Sequence, residues 1–379
     1  MKHSTDQPAE NHLNLPPGAD PAVAANRDGR GNGLREVFEA AETDRELVSF
    51  IRSLPKAELH LHMEGSAPWA LVQQLDPARF GAFTHPPIWH PDHVFPSFES
   101  FLLTLREYCA HVFSSLETYH AAARGLFHEL MAENVRYVEL SFQFGFVPRL
   151  GITGRDLVQT LLDAAPEGFE VRVYAGFLRN DWRPEQSALM EELLRCEELS
   201  GIDLHGVETI PLEDWTPEFW RRAEEAGKQV RAHVGEFRGA AHVREVVQKL
   251  GLKRVMHGVR AAEDPEILQF LLDEGVQCDM CPISNVRLRV QGAERFARHP
   301  LPRFLERGIP VTISSDDTFA FGNNITVEHV AAMRGIGLSK SRIIQMQRTA
   351  WRAARIDEAR RARILEELRQ IEDGLEAEA

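Results

Sequence analysis

The chain is poor in several features that mark whole protein classes. It has only four cysteines in 379 residues, too few and too scattered for a disulfide framework. A reducing, cytoplasmic location is therefore the default expectation. No run of about 20 apolar residues occurs, so neither a helical membrane span nor a membrane partner is expected. The N-terminus lacks the apolar core of a signal peptide. Lys and Arg number 43 against 57 Asp and Glu, a net charge of −14. Nucleic-acid binding, which needs a basic patch, is not expected. The Gly-rich fingerprint of a doubly wound dinucleotide-binding sheet is missing. Cys278 and Cys281 are the one close cysteine pair, and a zinc ribbon needs a second. In a strand-like run, positions i and i+3 face opposite ways. The two therefore read as buried small hydrophobes.

What is present is an ordinary globular composition, with 43% hydrophobic residues. Residues 1–33 are rich in Pro, Gly, Asn, Asp and Ala, show no apolar periodicity, and read as a disordered tail. Residues 34–379 read as one domain, entered through a short helix over 34–53. Eight β-rich runs follow at 57–63, 135–142, 170–177, 201–208, 229–235, 254–259, 276–281 and 310–315. Amphipathic helical patterns separate them, including 118–133, 184–200, 217–227, 239–250, 265–274 and 302–307. Several open with Pro in the first turn and close at Gly. Such alternation implies a parallel sheet with helices outside. Eight repeats over about 260 residues match the closed (β/α)8 TIM barrel, an α/β fold. The stretch 76–110 follows the C-terminal end of the first run and reads as a lid-like insertion or pocket wall over the barrel mouth. Extra C-terminal helices are expected within 326–374.

The most informative local feature is His60-Leu61-His62. Apolar and polar residues alternate here with period two, so both imidazoles project to one side of a strand, roughly 7 Å apart on a ~3.3 Å rise. Two rings at that spacing reach a single ion at Zn–N bonds of about 2.0–2.1 Å. Glu58 and Glu64 share that face. Burying two histidines and two carboxylates together without a cation is costly; an edge strand with solvated histidines is the alternative. Other polar residues fall at the C-terminal ends of later runs. Gly206 and Glu208 end the fourth, His233 the fifth with Glu236 just beyond, His257 the sixth, and Asp316 and Asp317 the eighth. In a barrel these ends form one rim, where active sites sit.

Singly, each of these has an ordinary reading. His257 suits a hydrogen-bonded core position, Glu236 a charge at a helix N-terminus, and the Asp pair a cap or turn. Adjacent carboxylates repel unless one is neutralised, which a metal ion does. His60, His62, His233 and Asp316 form a donor set that suits zinc, with Fe(II), Co or Mn left open. Four ligands and a water leave an open position for catalysis. Glu236 and His257 are then acid and base candidates.

With these residues in place, the chain resembles the adenosine deaminase family. The matching stretches are 55–65, 203–209, His233-Val-Gly-Glu236, His257-Gly258, 281–285 and Ser314-Ser-Asp-Asp317, in the family's order. The resemblance implies one zinc ion per subunit held by His60, His62, His233 and Asp316. It implies hydrolytic deamination of a 6-aminopurine, with adenosine as the default substrate and inosine and ammonia as products. Glu236 would protonate purine N1 as water adds at C6, and His257 would orient and deprotonate that water. Asp317 would bond purine N7, and the Gly206 N–H would contact N3.

The chain also departs from the family pattern. Glu64 stands where many members carry Asp, at a position that reaches the sugar 5′-hydroxyl. The longer side chain leaves less room there, as in relatives acting on free adenine or other 6-aminopurines. Thr318 follows the second Asp where Pro is usual, and Val234 replaces Ala. Adenine or a modified 6-aminopurine nucleoside is therefore the alternative substrate. Ring-amide hydrolysis on the same barrel, or a catalytically inactive purine-binding barrel, rank lower. A cytidine-deaminase-like site built from His62, Glu64, Cys278 and Cys281 fails because Gln277 stands where that signature has Pro. The expected partner is a small purine; the oligomeric state is not readable.

Overall fold

Eight short strands run parallel in sequential order, each hydrogen-bonded to the next. They are β1 Lys56–His62, β2 Val135–Gln143, β3 Glu170–Leu178, β4 Leu199–His205, β5 Gln229–Val234, β6 Arg254–His257, β7 Gln277–Met280 and β8 Val311–Ile313. The ring is brought together between first and last strands. The chain just past β8 bridges β1, with the His62 N–H donating to the Asp316 carbonyl (2.9 Å) and the Asp316 N–H to that of His60 (3.1 Å). The expected (β/α)8 barrel is the observed architecture. The structure, a computed structural model, describes residues 31–377. Residues 1–30 of the expected tail lie outside the described residues.

Strands buried on both faces need near-continuous burial rather than a strict in/out alternation. β2 and β7 show it, with at most the strand ends reaching water. Two helices precede the barrel, α1 Leu34–Thr43 and α2 Arg45–Ser53. The expected single helix over 34–53 is broken at Asp44, whose side chain accepts from the Leu47 N–H and caps α2. After β1 comes the insertion, which contains α3 Phe98–Cys109. It is pinned to the segment after β7: Phe95 N–H donates to the Arg287 carbonyl (2.8 Å), and Arg287 Nη1 to that of His93 (2.8 Å). The barrel helices are α4 Leu116–Ala132, α5 Gly154–Asp163, α6 Ser187–Leu194, α7 Trp215–Glu225, α8 Ala240–Leu250, α9 Pro265–Asp273, α10 Leu301–Arg307 and α11 Lys340–Ala353, followed by α12 Glu358–Ala377. Among the described residues, no helix is long and apolar enough to cross a membrane.

Two expected boundaries are corrected. The helical pattern over 184–200 overran, because Leu199 and Ser200 already belong to β4. The run expected to 208 stops at His205, since Gly206 adopts φ 84° and turns the chain out of the extended region. Gly206 and Glu208 thus lie on the loop above β4.

The C-terminal helices close the opposite side of β1. Trp351 on α11 is fully buried and its Nε1 donates to the Pro55 carbonyl (2.8 Å), while the Ala57 N–H donates to Gln347 Oε1 (3.2 Å). Emptying the indole site removes both packing and an anchored hydrogen bond. Trp351→Ala is expected to cost about 3–5 kcal/mol in urea unfolding; a loss below ~1 kcal/mol would show that α11 is not part of the core.

Candidate active site

The barrel topology carries the sequence-predicted residues to one rim. His60 and His62 come from β1, His233 from β5 and His257 from β6, and Asp316 and Asp317 follow β8. The Nε2 atoms of His60, His62 and His233 form a triangle with edges of 3.0, 3.1 and 3.3 Å. Asp316 Oδ1 lies 3.3 Å from His60 Nε2 and 3.1 Å from His62 Nε2. The opposite ring nitrogens are occupied: His60 Nδ1 is 3.1 Å from the Asp279 carbonyl, and His233 Nδ1 is 3.0 Å from that of Leu204. Carbonyls only accept, so Nδ1 carries the proton in both rings and Nε2 presents a lone pair. Lone pairs turned on one another at such distances repel unless a cation lies between them. Donors about 2.0–2.1 Å from a tetrahedral zinc are about 3.3 Å apart. The donor set and its spacing therefore fit a divalent cation. Around His62, burial works against charge, yet Asp317 and Asp316 outweigh it and raise the imidazole to about 9, so positive charge is favoured at this point.

Beneath the cluster lies a buried lattice of ions inside the barrel. Arg231 Nε bonds Asp203 Oδ2 (2.8 Å) and its Nη1 bonds Glu139 Oε2 (2.9 Å). Arg254 joins the same Glu139 oxygen (2.9 Å) to Asp279 Oδ2 (2.7 Å). Three carboxylates face two guanidiniums, which leaves negative charge under the imidazoles. Burial opposes ionisation of Asp203, but His233 and Arg231 beside it hold the carboxyl well below the usual range. Its Oδ1 sits 3.2 Å from His233 Nδ1, orienting that ring.

Above the cluster is a cavity of about 420 Å³. Its inner end holds His62, His233, Glu236, His257, Asp316 and Asp317, with Gly206 and Glu64 on the wall; His60 is fully buried below them. Burial pushes the Glu236 carboxyl well above its ordinary range, and Asp316, Glu208 and Asp317 push it further. Among the described residues its buried Oε1 has no hydrogen-bond partner, and its Oε2 is 3.6 Å from His257 Nε2. Asp317 is likewise raised by burial and by Asp316. Burial keeps His257 neutral, well below its usual value, despite Asp316. His257 and Asp316 both have φ 64°, a region that side-chain-bearing residues avoid. Two such strained positions in one cavity mark a site whose geometry is held by its surroundings. Glu64 is fastened at the wall: Tyr119 Oη donates to its Oε1 (2.7 Å) and the Gln143 N–H approaches both oxygens (3.2 and 3.1 Å). Gly65 is required beside Asp317, because a Cβ there would fall 1.5 Å from Asp317 Oδ1. Farther out the walls turn apolar, with Phe98, Phe101, Leu105, Phe113 and Phe146.

His205 lies outside the sequence-predicted set. It ends β4 with Nε2 2.8 Å from Ser141 Oγ, and its ring lies 4.6 Å from that of His62 and 5.0 Å from that of His233. Burial pushes it down to about 3, so it is neutral. Gly176 makes the space, since a Cβ there would lie 2.0 Å from His205 Cε1. The signal was available: Asp203 and His205 repeat the i, i+2 spacing of His60 and His62. Cys278 and Cys281 are both buried and unbridged, and Cys281 Sγ lies 3.4 Å from His60 Nδ1.

A family model described as adenosine deaminase matches residues 55–371. An adenine deaminase of Chelativorans sp. (strain BNC1) is 30% identical over 325 residues, covering 84% of this chain and 99% of that protein. An aminodeoxyfutalosine deaminase of Streptomyces avermitilis is 29% identical, covering 88% of this chain and 97% of that protein. The crystal structure of an adenine deaminase from Arthrobacter aurescens is similar with a TM-score of 0.72 at 26% identity, covering 84% of this chain and 98% of that one.

The Asp203–His233 contact makes a direct prediction. Asp203→Asn should weaken divalent-cation affinity about 10- to 100-fold by equilibrium dialysis. Unchanged affinity would show that His233 is oriented without it.

Proposed function

The chain belongs to the adenosine deaminase family and is a hydrolytic deaminase of a purine-like substrate; we propose that it cleaves the C6–amino bond of a 6-aminopurine. The observation that carries this reading is Glu236: a carboxyl that burial pushes well above its ordinary range, with one oxygen unpartnered among the described residues, in the cavity beside the proposed cation cluster. Attack on an aromatic C6 breaks ring conjugation, so N1 must receive a proton as the new C–O bond forms. A neutral carboxylic acid supplies that proton, as a carboxylate does not.

His60, His62, His233 and Asp316 would hold one zinc ion per subunit, which would supply Lewis acidity and make water ionise nearer pH 7. Neutral His257 takes a proton from the attacking water. Glu236 gives its proton to N1, which leaves a tetrahedral C6 bearing hydroxyl and amine. His257 then returns its proton to the amine, and the C6–N bond breaks to release ammonia. The hydroxyl proton goes back to the Glu236 carboxylate, and the 6-oxo purine keeps its proton on N1. Asp317, raised and therefore able to donate, bonds N7, and the Gly206 N–H meets N3.

Adenosine is our first substrate. The cavity continues past Glu64 into an apolar outer chamber, which supports a base that carries a group at N9. Free adenine is the second reading. It is favoured by the fixed Glu64 carboxylate, an acceptor for an N9–H, and by the adenine deaminases among the relatives. We further take residues 34–379 as one catalytic domain, and the unbridged cysteines as suited to the cytoplasm.

Ammonia release from adenosine, 2′-deoxyadenosine, adenine, aminodeoxyfutalosine and cytidine separates these readings. Release from at least one of the four purines and none from cytidine is expected. Release from cytidine alone, or from none, contradicts the reading. Glu236→Gln is expected to keep its full metal content while turnover falls about 10²- to 10⁴-fold; near-normal turnover removes Glu236 from the mechanism.

A further inference from the structure

Glu208 is a buried carboxylate that the reaction above does not use. It stands on the loop after β4, two residues beyond Gly206. Both its oxygens point at the loop after β5. Four consecutive backbone N–H groups converge on them: Gly235 on Oε1 (2.6 Å), and Glu236, Phe237 and Arg238 on Oε2 (3.0, 2.6 and 3.0 Å). Successive amides turned to one point make a concave anion-binding nest. Here the anion is a side chain of the same protein, borrowed from the neighbouring strand loop.

The surroundings fit a clamp rather than incidental packing. Gly235 has φ 72°, and a Cβ on it would lie 2.6 Å from Val243 Cγ2, so the loop is pressed against α8. On the loop's other side, the Gly235 carbonyl accepts from the Arg260 N–H (2.8 Å) and the Phe237 carbonyl from the Arg260 guanidinium. Arg179, buried just past β3, donates to the His233 carbonyl (3.2 Å); burial lowers its guanidinium, and Glu208 is the nearby charge that most opposes this. The loop so held carries Glu236, which lines the cavity, and Phe237, whose ring lies 5.0 Å from Phe98 on the insertion helix α3.

We propose that Glu208 is the positioning residue for Glu236: its carboxylate, seated in the nest of the 235–238 amides, fixes where the Glu236 carboxyl meets purine N1. This rests on the reading of Glu236 as the acid. An uncharged amide at 208 cannot do the same work. It keeps one acceptor oxygen and turns an NH2 donor towards N–H groups that also donate. The loop then relaxes, and a displacement of about 1 Å at a reacting group is worth about 100-fold in rate.

The test is a double-mutant cycle with Glu208→Gln, Glu236→Gln and both together. Metal content and KM are followed alongside kcat. Glu208→Gln alone should lower kcat by about 100-fold with cation content intact and KM little changed. In the Glu236→Gln background the same change should cost almost nothing, because the group being positioned is gone. Equal losses in both backgrounds would overturn the proposal and make Glu208 merely structural. So would a Glu208→Gln enzyme as fast as the parent. Near-normal turnover of Glu236→Gln alone would instead sink the underlying reading of Glu236. Should Glu208→Gln fail to fold, hydrogen exchange on the intact protein decides. The amides of 235–238 should exchange as slowly as those of β5, and exchange at open-loop rates would overturn the clamp.

Discussion

Three imidazole nitrogens turned towards one another at 3.0–3.3 Å set the terms for the rest of this molecule. His60 and His233 each present a lone pair to the same point, and His62 turns its Nε2 there as well. Packing alone does not hold such groups together, because each gains by turning away to find a donor. The arrangement is tolerable only around positive charge, and the barrel supplies everything else on that condition. Carbonyls of Asp279 and Leu204 fix the ring orientations of His60 and His233. The buried lattice of Glu139, Arg231, Asp203, Arg254 and Asp279 leaves a carboxylate in excess just below.

That lattice also alters what the barrel is. A barrel interior is usually layered with branched apolar side chains. Here Arg231 and Arg254 replace them, each joining two carboxylates from different strands. Buried ion pairs of this kind contribute little net stability once desolvation is counted, whereas losing one partner is severe. Their value lies in orientation. Asp203 spans from Arg231 to His233, so the ion pairs of the barrel floor reach the proposed ligand in one step. On the upper side, a second buried carboxylate, Glu208, ties the loop that carries Glu236. The same principle operates at Glu58, which accepts from the Ser315 N–H (2.6 Å) just before Asp316. Buried acids within a strand (Glu58) or on a strand loop (Glu208) thus brace the neighbouring strand loops from which the cavity's polar groups project.

The fold was legible because its signal is repeated. Eight β-rich runs separated by amphipathic helices leave few arrangements other than a closed barrel, and errors at single boundaries did not disturb the count. The rim residues were legible for a related reason. His60, His233, His257 and Asp316 stand at strand ends, and parallel topology brings strand ends together regardless of separation along the chain. What escaped was whatever depends on pairing across strands. Arg231 and Arg254 look like the polar half of an alternating strand until Glu139, Asp203 and Asp279 are seen opposite them. Glu208 looked like the end of a strand, because a left-handed turn at Gly206 leaves no trace in hydropathy. His205 carried a usable i, i+2 signal with Asp203, masked because its space is made by Gly176, a residue with no side chain to read.

The account stands on a cation gripped by nitrogen and oxygen donors, with Cys281 close by but outside the ligand set. X-ray absorption at the edge of the metal that copurifies tests this most directly. Scattering by nitrogen and oxygen alone, with the multiple-scattering signature of several imidazoles, is the predicted result. A sulfur scatterer bound to the metal, or protein that is folded and active with no metal at all, would contradict it.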